Sequence, residues 1–361
     1  MPQYHIIPEN SKWWGEGFTD WQAVKKSVPL FLGHKQPRVP LNRHYYYLDD
    51  VDEIKWQAKI AQKYGVYGFG IYHYWFSSDL HLLEKPAELI RDHKDIDIHY
   101  MFIWDNTSWI RTWKNVRHGN AWAPNYDDVS DKNDDGILAE LKYGSEEDWR
   151  KHFLYLIDFF QDDRYIKIEN KPVFSIFKPD NDNGTIKMMI NYWNKIAVEY
   201  GFDGIVCITK ENWKYKDNSD YQMKYAPFNI NSLWSGLKNK MNYLLAKKLN
   251  KIDSYDYDKL WNDILIDANK AQNKTFLSGF VDYDDSPRRG HSAKIVHGAT
   301  PDKFGYYMKK LINISKKQNK EYVFVTAWNE WGEGAYLEPD EMNGYAYLEA
   351  LKAALDECCT K

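Results

Sequence analysis

The sequence predicts an α/β fold whose parallel strands close into a (β/α)8 barrel. Short apolar runs alternate along the chain with amphipathic helical patterns, and this order is typical of βαβ units around a sheet that is covered on both faces. The length of 361 residues lies within the range of about 200 to over 400 residues that such barrels occupy. The sequence has no counterpart to the glycine-rich first turn of an open nucleotide-binding sheet, which favours the barrel.

The predicted strands are apolar runs bounded by polar or turn-forming residues. They occupy Val66–Trp75, Ile98–Trp104, Pro172–Phe177, Gly204–Ile208, Thr275–Val281 and Tyr322–Trp328, with a weaker run at Tyr225–Ile230. A further strand near the N-terminus would complete the eight strands of a barrel.

The predicted helices lie between these runs, where apolar residues recur at helical spacing. Their apolar faces are Val51–Ala61, Phe153–Phe160, Ile186–Ala197, Trp261–Ala268, Phe304–Leu311 and Leu348–Leu355. Asp50, Ser145 and Thr300 stand where N-caps are expected. No linker-like stretch divides the sequence, so we expect residues 1–361 to form one domain with a polar loop insertion at about 109–142.

The composition argues against several classes of protein. Lys and Arg number 48 against 52 Asp and Glu, a net charge of −4, which argues against nucleic-acid binding. No apolar run approaches the roughly 18 residues that span a bilayer. The first ten residues lack a basic and apolar leader, so we expect a cytoplasmic protein. Cys207, Cys358 and Cys359 have no spacing typical of a disulfide framework or a zinc site, and we expect no metal or cofactor.

A carboxylate pair follows the last predicted strand, where a barrel places catalytic residues. Glu330 and Glu333 lie three residues apart, and Gly332 and Gly334 permit a turn between them. A turn brings side chains at this spacing together, whereas a continuing strand separates them by about 10 Å. Two carboxyl groups about 5–5.5 Å apart are the arrangement of a retaining glycosidase. We therefore predict that both glutamates are catalytic; the alternative is two solvated loop charges.

Aromatic and polar residues cluster at other predicted strand ends and near the N-terminus. Sugars present apolar C–H faces and many hydroxyl groups, so rings beside short polar groups suit them. The alternative is that these rings pack in the core beneath the helices. The substrate-binding residues predicted in this way are Trp14, Tyr72, His73, Tyr74, Trp75, Trp104, Asn106, Trp109, Asn329, Trp331 and Glu338.

A segment rich in charge, residues 282–289, follows the predicted strand Thr275–Val281. Arg288 and Arg289 would hold an anionic substituent of a substrate or orient a carboxylate of the protein. The alternative is a structural loop of salt bridges. With Asp282, the two arginines complete the predicted substrate-binding set.

Seven segments together resemble the WbsX-like family of bacterial surface-polysaccharide loci, which is related to glycoside hydrolase family 99. They are PQYHIIPEN, WWGEGFTDW, YGFGIYHYWF, the segment 104–113, DDSPRR, HGATPDKFG and WNEWGEGAYLEPD. The resemblance covers nearly the whole chain in the family's order. It implies a (β/α)8 barrel that acts on a glycosidic bond, and in family 99 on α-mannosidic linkages without metal or nucleotide.

The resemblance also implies roles for the two glutamates. Glu330 matches the residue that deprotonates the sugar 2-hydroxyl, which then attacks C1 to give a 1,2-anhydro sugar. Glu333 matches the group that is acid and then base at the leaving oxygen.

Two positions depart from the family's pattern. An apolar strand usually precedes the residue that matches Pro2, so here the first strand would be truncated or the barrel would close differently. Thr107 stands where the family usually has a carboxylate, which leaves the substrate's identity open.

Three functions compete. A retaining, endo-acting glycoside hydrolase is preferred. A glycosyltransferase of surface-polysaccharide synthesis (O-antigen or capsule) would need a nucleotide-sugar site, and the sequence lacks a glycine-rich phosphate loop. A non-catalytic carbohydrate-binding barrel would bind sugar without turnover. The expected partner is in each case an oligo- or polysaccharide, with no nucleic acid and no membrane span, and the oligomeric state stays open.

Overall fold

The computed structural model describes residues 1, 4–112, 114, 119–121, 123–127, 135–179, 184–211, 219–228 and 252–359. The chain divides into two compact units. Unit 1 comprises Met1–Phe18 and Tyr46–Gln222, and unit 2 comprises Thr19–Tyr45 and Met223–Lys361. Among the described helices, none is both long and apolar enough to cross a bilayer.

The helices and strands are numbered in chain order over the described residues. The helices are α1 Pro8–Trp14, α2 Asp20–Lys26, α3 Val51–Lys63, α4 Lys85–Asp92, α5 Glu146–Phe160, α6 Thr185–Ala197, α7 Tyr257–Asn269, α8 Ser286–Arg289, α9 Pro301–Lys317 and α10 Ala346–Cys359. The strands are β1 Gly68–Ser77, β2 Leu80–Leu82, β3 His99–Trp104, β4 Ser108–Ile110, β5 Gly119–Asn120, β6 Ile137–Ala139, β7 Lys167–Ile168, β8 Lys171–Ile176, β9 Val206–Lys210, β10 Tyr221–Met223, β11 Asp253–Asp256, β12 Thr275–Phe280, β13 Lys294–His297, β14 Val323–Thr326, β15 Asn329–Glu330 and β16 Ala335–Tyr336. Short 3-10 turns lie at Leu41–Arg43, Pro124–Tyr126, Val198–Tyr200, Gly290–Ser292 and Trp331–Glu333.

Unit 1 is built on a mixed sheet in the order β10-β9-β8-β3-β1-β2. Strands β1, β3, β8 and β9 run parallel, and β2 returns antiparallel to β1. Helix α5 begins at a capping box between Ser145 and Asp148, and α3 begins at Asp50, which accepts from the Asp52 amide. Both caps and the buried faces of α3, α5 and α6 agree with the sequence pattern.

Unit 2 carries β12 and β14 as a parallel pair, with Leu277 opposite Val323 and Phe280 opposite Thr326. Helix α9 begins at Pro301 with Thr300 as its cap, as predicted. Trp261 of α7 stacks on Tyr307 of α9, with ring centroids 5.4 Å apart. These helices therefore pack against each other through the apolar faces that the sequence predicts.

Strands that alternate with helices and pair in parallel confirm the predicted α/β class. The strongest apolar runs became β1, β3, β8, β9, β12 and β14, with ends shifted by one or two residues. They were recognisable because parallel strands that are covered on both faces are apolar throughout. Closure into one eight-stranded barrel stays a prediction.

The weaker strand prediction, Tyr225–Ile230, is shifted upstream in the structure. A strand forms at Tyr221–Met223 instead, and Ala226–Phe228 make a turn. Pro227 has no amide hydrogen to offer a sheet, which explains why the ladder does not continue there. Asn229 and Ile230 lie outside the described residues.

Two further predictions concern the N-terminus and the insertion. The Met1 amine donates to the Gly70 carbonyl at 2.6 Å, and the Met1 carbonyl accepts from the Tyr72 amide at 3.3 Å, so Met1 lies beside β1. Pro2 and Gln3 lie outside the described residues, as do parts of the 109–142 insertion. The described parts of that insertion include β4, β5 and β6, which form a small sheet of their own.

Candidate active site

The predicted carboxylate pair lies on a tight turn after β14. Glu330 ends β15, and Glu333 ends the 3-10 turn that follows it. Gly334 then takes a left-handed conformation, with φ of 60°, which suits glycine because it lacks a Cβ. Strand β16 returns antiparallel and pairs Ala335 with Glu330. The turn that the sequence predicted between the two glutamates is therefore present.

Arg288 of α8 binds both glutamates at once. Its Nη2 atom donates to Glu330 Oε1 at 2.5 Å, and its Nη1 atom donates to Glu333 Oε1 at 3.0 Å. The guanidinium is a rigid planar fork, so these contacts hold the two carboxylates side by side. Of the two roles that the sequence allows for Arg288, the structure supports the orientation of protein carboxylates.

Asp20 is a third carboxylate on the same guanidinium. Arg288 donates to it from Nε at 3.1 Å and from Nη2 at 2.5 Å. Asp20 is the first residue of α2 and is buried. Asp20 lies in the aromatic segment WWGEGFTDW, but no sequence pattern indicated this ion pair, because Arg288 lies 268 positions away.

The site holds more negative than positive charge, since one guanidinium faces three carboxylates. Burial raises the pKa of Glu330 to about 7; Arg288 opposes this rise, while the charges of Glu333 and Asp20 add to it. The Glu333 side chain is more exposed than that of Glu330, at 28% against 12%. The buried glutamate is thus poised to exchange a proton near neutral pH.

This pKa predicts how stability depends on pH. The folded protein holds a proton on Glu330 between the usual pKa of 4.5 and about 7, so the free energy of unfolding falls as pH rises through that window. Glu330→Gln removes the titration, and its stability relative to wild type should rise by up to roughly 3 kcal/mol between pH 4.5 and 8. Urea unfolding of both proteins across this range measures the difference. A difference that stays constant with pH would contradict the assignment.

Gly332 lets Asp20 and Arg288 approach the turn. A Cβ at this position would lie 2.2 Å from Asp20 Oδ2 and 2.5 Å from Arg288 Nε. The glycine between the two glutamates is thus required by the charged groups that pack against it.

Gly332→Ala is expected to lower the free energy of unfolding by about 1–3 kcal/mol, because the new methyl group overpacks the turn. It should also reduce turnover strongly, since the clash displaces the Arg288 fork. Gly344→Ala is the control: its φ of +56° makes an alanine costly for stability there, but no atom lies within 4 Å of the new Cβ. Denaturant unfolding and activity assays should show activity lost only for Gly332→Ala; equal activity in both variants would refute this role.

Trp331 stabilises the turn through contacts with residues that follow it in the chain. Its ring stacks on Tyr336 with centroids 3.7 Å apart, and its Nε1 donates to Glu338 Oε2 at 2.6 Å. Trp331 and Asn329 are fully buried, and Glu338 nearly so. The structure thus brings these predicted substrate-binding residues to the site as supporting residues, and direct contact with a ligand stays a prediction.

The charged segment after β12 binds residues near the start of unit 2. Asp282 accepts from Arg38 Nη2 at 2.8 Å. Asp284 bonds to His34 Nε2 at 2.8 Å and to Gln36 Nε2 at 2.7 Å. The Asp284 amide donates to the Glu333 carbonyl at 2.6 Å, so this network fixes the backbone of the catalytic candidate.

Asp282 and Arg289 each form an ion pair with another residue of the protein. Arg289 pairs with Asp285 at 3.1 Å and is partly exposed, whereas Asp282 is buried against Arg38. Both residues therefore form salt bridges within the protein, as the alternative interpretation of this segment predicts. No sequence pattern indicated Arg38, His34 or Gln36, because their partners lie more than 240 positions away.

In unit 1, the cluster 72–75 divides between the two faces of β1. This strand runs on to Ser77, so its side chains alternate. The ring of Trp75 stacks on His152 of α5 at 4.3 Å, and His73 Nε2 lies 2.8 Å from His152 Nε2. Burial lowers the pKa of His73 to about 3, so this pair is neutral and belongs to the core beneath α5. That placement favours the core alternative for His73 and Trp75, and their contact with a ligand stays a prediction.

Tyr72 and Tyr74 lie on the opposite face of β1. Tyr74 packs edge-on against Trp109 at 5.1 Å, and Tyr72 against Phe177 at 5.9 Å. Trp14 and Trp109 belong to the same buried cluster as Tyr74, which is the core alternative for these rings. Tyr72 is only partly buried, and its contact with a ligand stays a prediction.

Trp104 and Asn106, at the end of β3, are fully buried. Trp104 Nε1 donates to the Trp75 carbonyl at 2.9 Å. The Asn106 side chain accepts from the Lys178 amide and donates to the Lys178 carbonyl, both at 2.8 Å. Both side chains therefore position their neighbours in this structure.

Across the described residues, no group of three His, Cys, Asp or Glu side chains is arranged to hold a metal.

Comparison with known families matches the chain to one of them over nearly its whole length. The sequence model of the family described as Glycosyltransferase WbsX matches residues 1–351. Two proteins described as uncharacterized protein WxcX, from Xanthomonas campestris pv. campestris strains B100 and ATCC 33913, are each 27% identical over 98% of the chain. The chain spans 48% of the length of these relatives.

Solved structures of similar fold include an endo-α-mannosidase and a glycoside hydrolase-like protein. A GH99 endo-α-mannosidase from Bacteroides thetaiotaomicron, in complex with BIS-TRIS-propane, aligns over 100% of this chain and 96% of its own, with a TM-score of 0.59 and 14% identity. A protein described as glycoside hydrolase-like aligns over 88% of this chain and 89% of its own, with a TM-score of 0.55 and 14% identity. At this identity the likeness establishes the fold.

Proposed function

Because the chain belongs to the family described as Glycosyltransferase WbsX, we propose that it is a glycan-active enzyme and that Glu330 and Glu333 cleave a glycosidic bond. The observation that carries the proposal is the Arg288 fork, which holds both carboxylates side by side. Paired carboxyl groups that differ in environment are the usual machinery of glycoside hydrolysis. The same fold as a GH99 endo-α-mannosidase supports an α-mannoside-like substrate cut within a chain.

In the proposed reaction Glu330 acts as base and Glu333 as acid. Glu330 removes the proton of the sugar 2-hydroxyl, and the 2-oxygen attacks C1 as the bond from C1 to the leaving oxygen breaks. Glu333 gives its proton to that oxygen. In the second step Glu333 takes a proton from water, the water oxygen attacks C1 and opens the 1,2-anhydro ring, and Glu330 returns its proton to the 2-oxygen. C1 is inverted twice, so its configuration is retained.

The environment of Glu330 supports the role of a base. Burial raises its pKa to about 7, and a general base is most effective when its pKa lies near the working pH. Two neighbouring carboxylates share their protons, because the charge of one disfavours the charge of the other.

Incubation of the protein with α-mannans and bacterial surface polysaccharides, without any nucleotide, tests the proposal. We expect mass spectrometry to detect released oligosaccharides with wild type and none with Glu330→Gln. Sugar binding without products in both proteins would indicate a carbohydrate-binding function instead.

The family's description favours a second candidate, a glycosyltransferase of surface-polysaccharide synthesis. A transferase of this kind binds a nucleotide sugar, whereas the proposed hydrolase has no use for one. Calorimetric titration with a panel of nucleotide sugars separates the two. Micromolar binding of one nucleotide sugar, together with transfer to an acceptor, would establish the transferase.

A further inference from the structure

Three neighbouring parallel strands of unit 1 end in one aligned row. Trp104 of β3 lies opposite Ile176 of β8, and Ile176 lies opposite Thr209 of β9. The residues that follow this row are Asp105, Phe177 with Lys178, and Lys210. All four are partly exposed. We call Asp105, Phe177, Lys178 and Lys210 the edge cluster; the carboxyl ends of parallel strands are where α/β proteins place ligands.

The members of the edge cluster are held by specific contacts. The ammonium group of Lys210 lies 4.6 Å from the centre of the Phe177 ring. The backbone of Lys178 is bonded at both its amide and its carbonyl by Asn106. Thr107 donates from Oγ1 to Asp105 Oδ1 at 2.8 Å. The buried Asn106 and Thr107 thus fix the cluster's backbone and its carboxylate.

The charges of the edge cluster act on one another. Burial raises the pKa of Asp105, and the charges of Lys178 and Lys210 oppose that rise. Both lysines therefore act electrostatically on Asp105, and the formal charges of the cluster's own members sum to one positive charge. A lysine at such a place offers three donors to an anion, and a carboxylate beside it accepts from a sugar hydroxyl.

We infer that the edge cluster binds an acidic sugar residue, with Lys178 and Lys210 on its anionic substituent and Asp105 on a neighbouring hydroxyl. The anion is a carboxylate or a phosphate, since an ammonium group binds either as a point charge. The inference rests on the proposed function in one respect, that the ligand is a saccharide. It adds that the preferred glycan carries negative charge.

Calorimetric titration of the full chain tests this with three probes: methyl β-D-glucuronide, glucose 6-phosphate and the neutral methyl β-D-glucoside. We expect at least one anionic sugar to bind about tenfold tighter than the neutral one, as a charge-assisted hydrogen bond allows. Lys178→Met and Lys210→Met should each remove most of this preference. Lys187→Met, which deletes the same charge at an exposed position of α6, should retain it.

Asp105→Asn is expected to raise the affinity for the anionic sugar, which a misfolded protein would not do. It removes the negative charge and should tighten the binding of the anionic sugar several-fold. Equal binding of all three probes, or equal losses in Lys178→Met and Lys187→Met, would overturn the inference. Binding of acetate or inorganic phosphate as tight as that of the sugars would also overturn it, because the cluster would then be only a general anion site.

The same titrations with Glu330→Gln separate this inference from the proposed reaction. Lysine-dependent binding of an acidic sugar together with full turnover in Glu330→Gln would uphold the edge cluster and refute the proposed chemistry. Loss of turnover in Glu330→Gln with equal binding of all probes would support the proposed chemistry and refute the edge cluster as an acidic-sugar site.

Discussion

Arg288→Met is expected to lower the free energy of unfolding by about 3–5 kcal/mol, because it leaves buried carboxylates without their cation. The guanidinium is 9% exposed and contacts Asp20, Glu330 and Glu333. Loss of the fork also frees the two glutamates from their shared position, so we expect turnover to fall below detection. Chemical denaturation and an activity assay measure the two effects.

Arg289→Met is the matched control, since it deletes the same charge one residue away. Arg289 pairs with Asp285, and its side chain is 44% exposed, so its loss should cost at most about 1 kcal/mol. Arg288→Lys covers the case in which Arg288→Met does not fold. Lysine keeps the charge but cannot bridge several carboxylates as a planar fork, so a folded protein with strongly reduced turnover is expected. Wild-type turnover in Arg288→Lys would show that the fork is not needed.

Glu330→Gln should reduce turnover by about 10³-fold or more on every substrate, because the base is needed in the first step. Glu333→Gln should reduce turnover on natural glycans but keep a measurable rate on an activated aryl glycoside, whose leaving group needs little protonation. Steady-state kinetics on both substrate types give the comparison. Both variants keep the side chain's size and one oxygen for Arg288, so thermal unfolding serves as the control for folding.

Two outcomes would contradict these roles. The first is a Glu333→Gln protein that is folded and equally inactive on activated and natural substrates, which would remove its acid role. The second is near-wild-type turnover in Glu330→Gln. In that case Asp105, the half-buried carboxylate at the end of β3, is the next candidate for the catalytic group.

The sequence was informative where structure depends on local pattern. The apolar runs of covered parallel strands, the caps at Asp50 and Thr300, and the turn after Glu330 all follow from neighbouring residues. The placement of residues 72–75 on two opposite faces of β1 is predictable from the sequence, since strand side chains alternate. The sequence pattern predicts a strand that ends at Trp75, which would place residues 72–75 together at one edge, whereas β1 continues to Ser77.

Contacts between distant residues could not be predicted from the sequence. Asp20 meets Arg288 across 268 positions, and Arg38 meets Asp282 across 244. Asp20 lies in the aromatic segment WWGEGFTDW, but no local pattern indicates which distant cation its carboxylate contacts. Gly332 shows the same limit: its spacing predicted a turn, but only the fold shows that Asp20 and Arg288 occupy the space of a side chain there.

The measurement that tests the central claim most directly is the stereochemical course of hydrolysis of an activated α-mannoside, followed by proton NMR without nucleotide. If Glu330 and Glu333 act as base and acid through a 1,2-anhydro sugar, the first sugar released is the α-anomer, and the β-anomer appears only later by mutarotation. Glu330→Gln then releases neither. Release of the β-anomer first, or equal release by Glu330→Gln, would contradict the account.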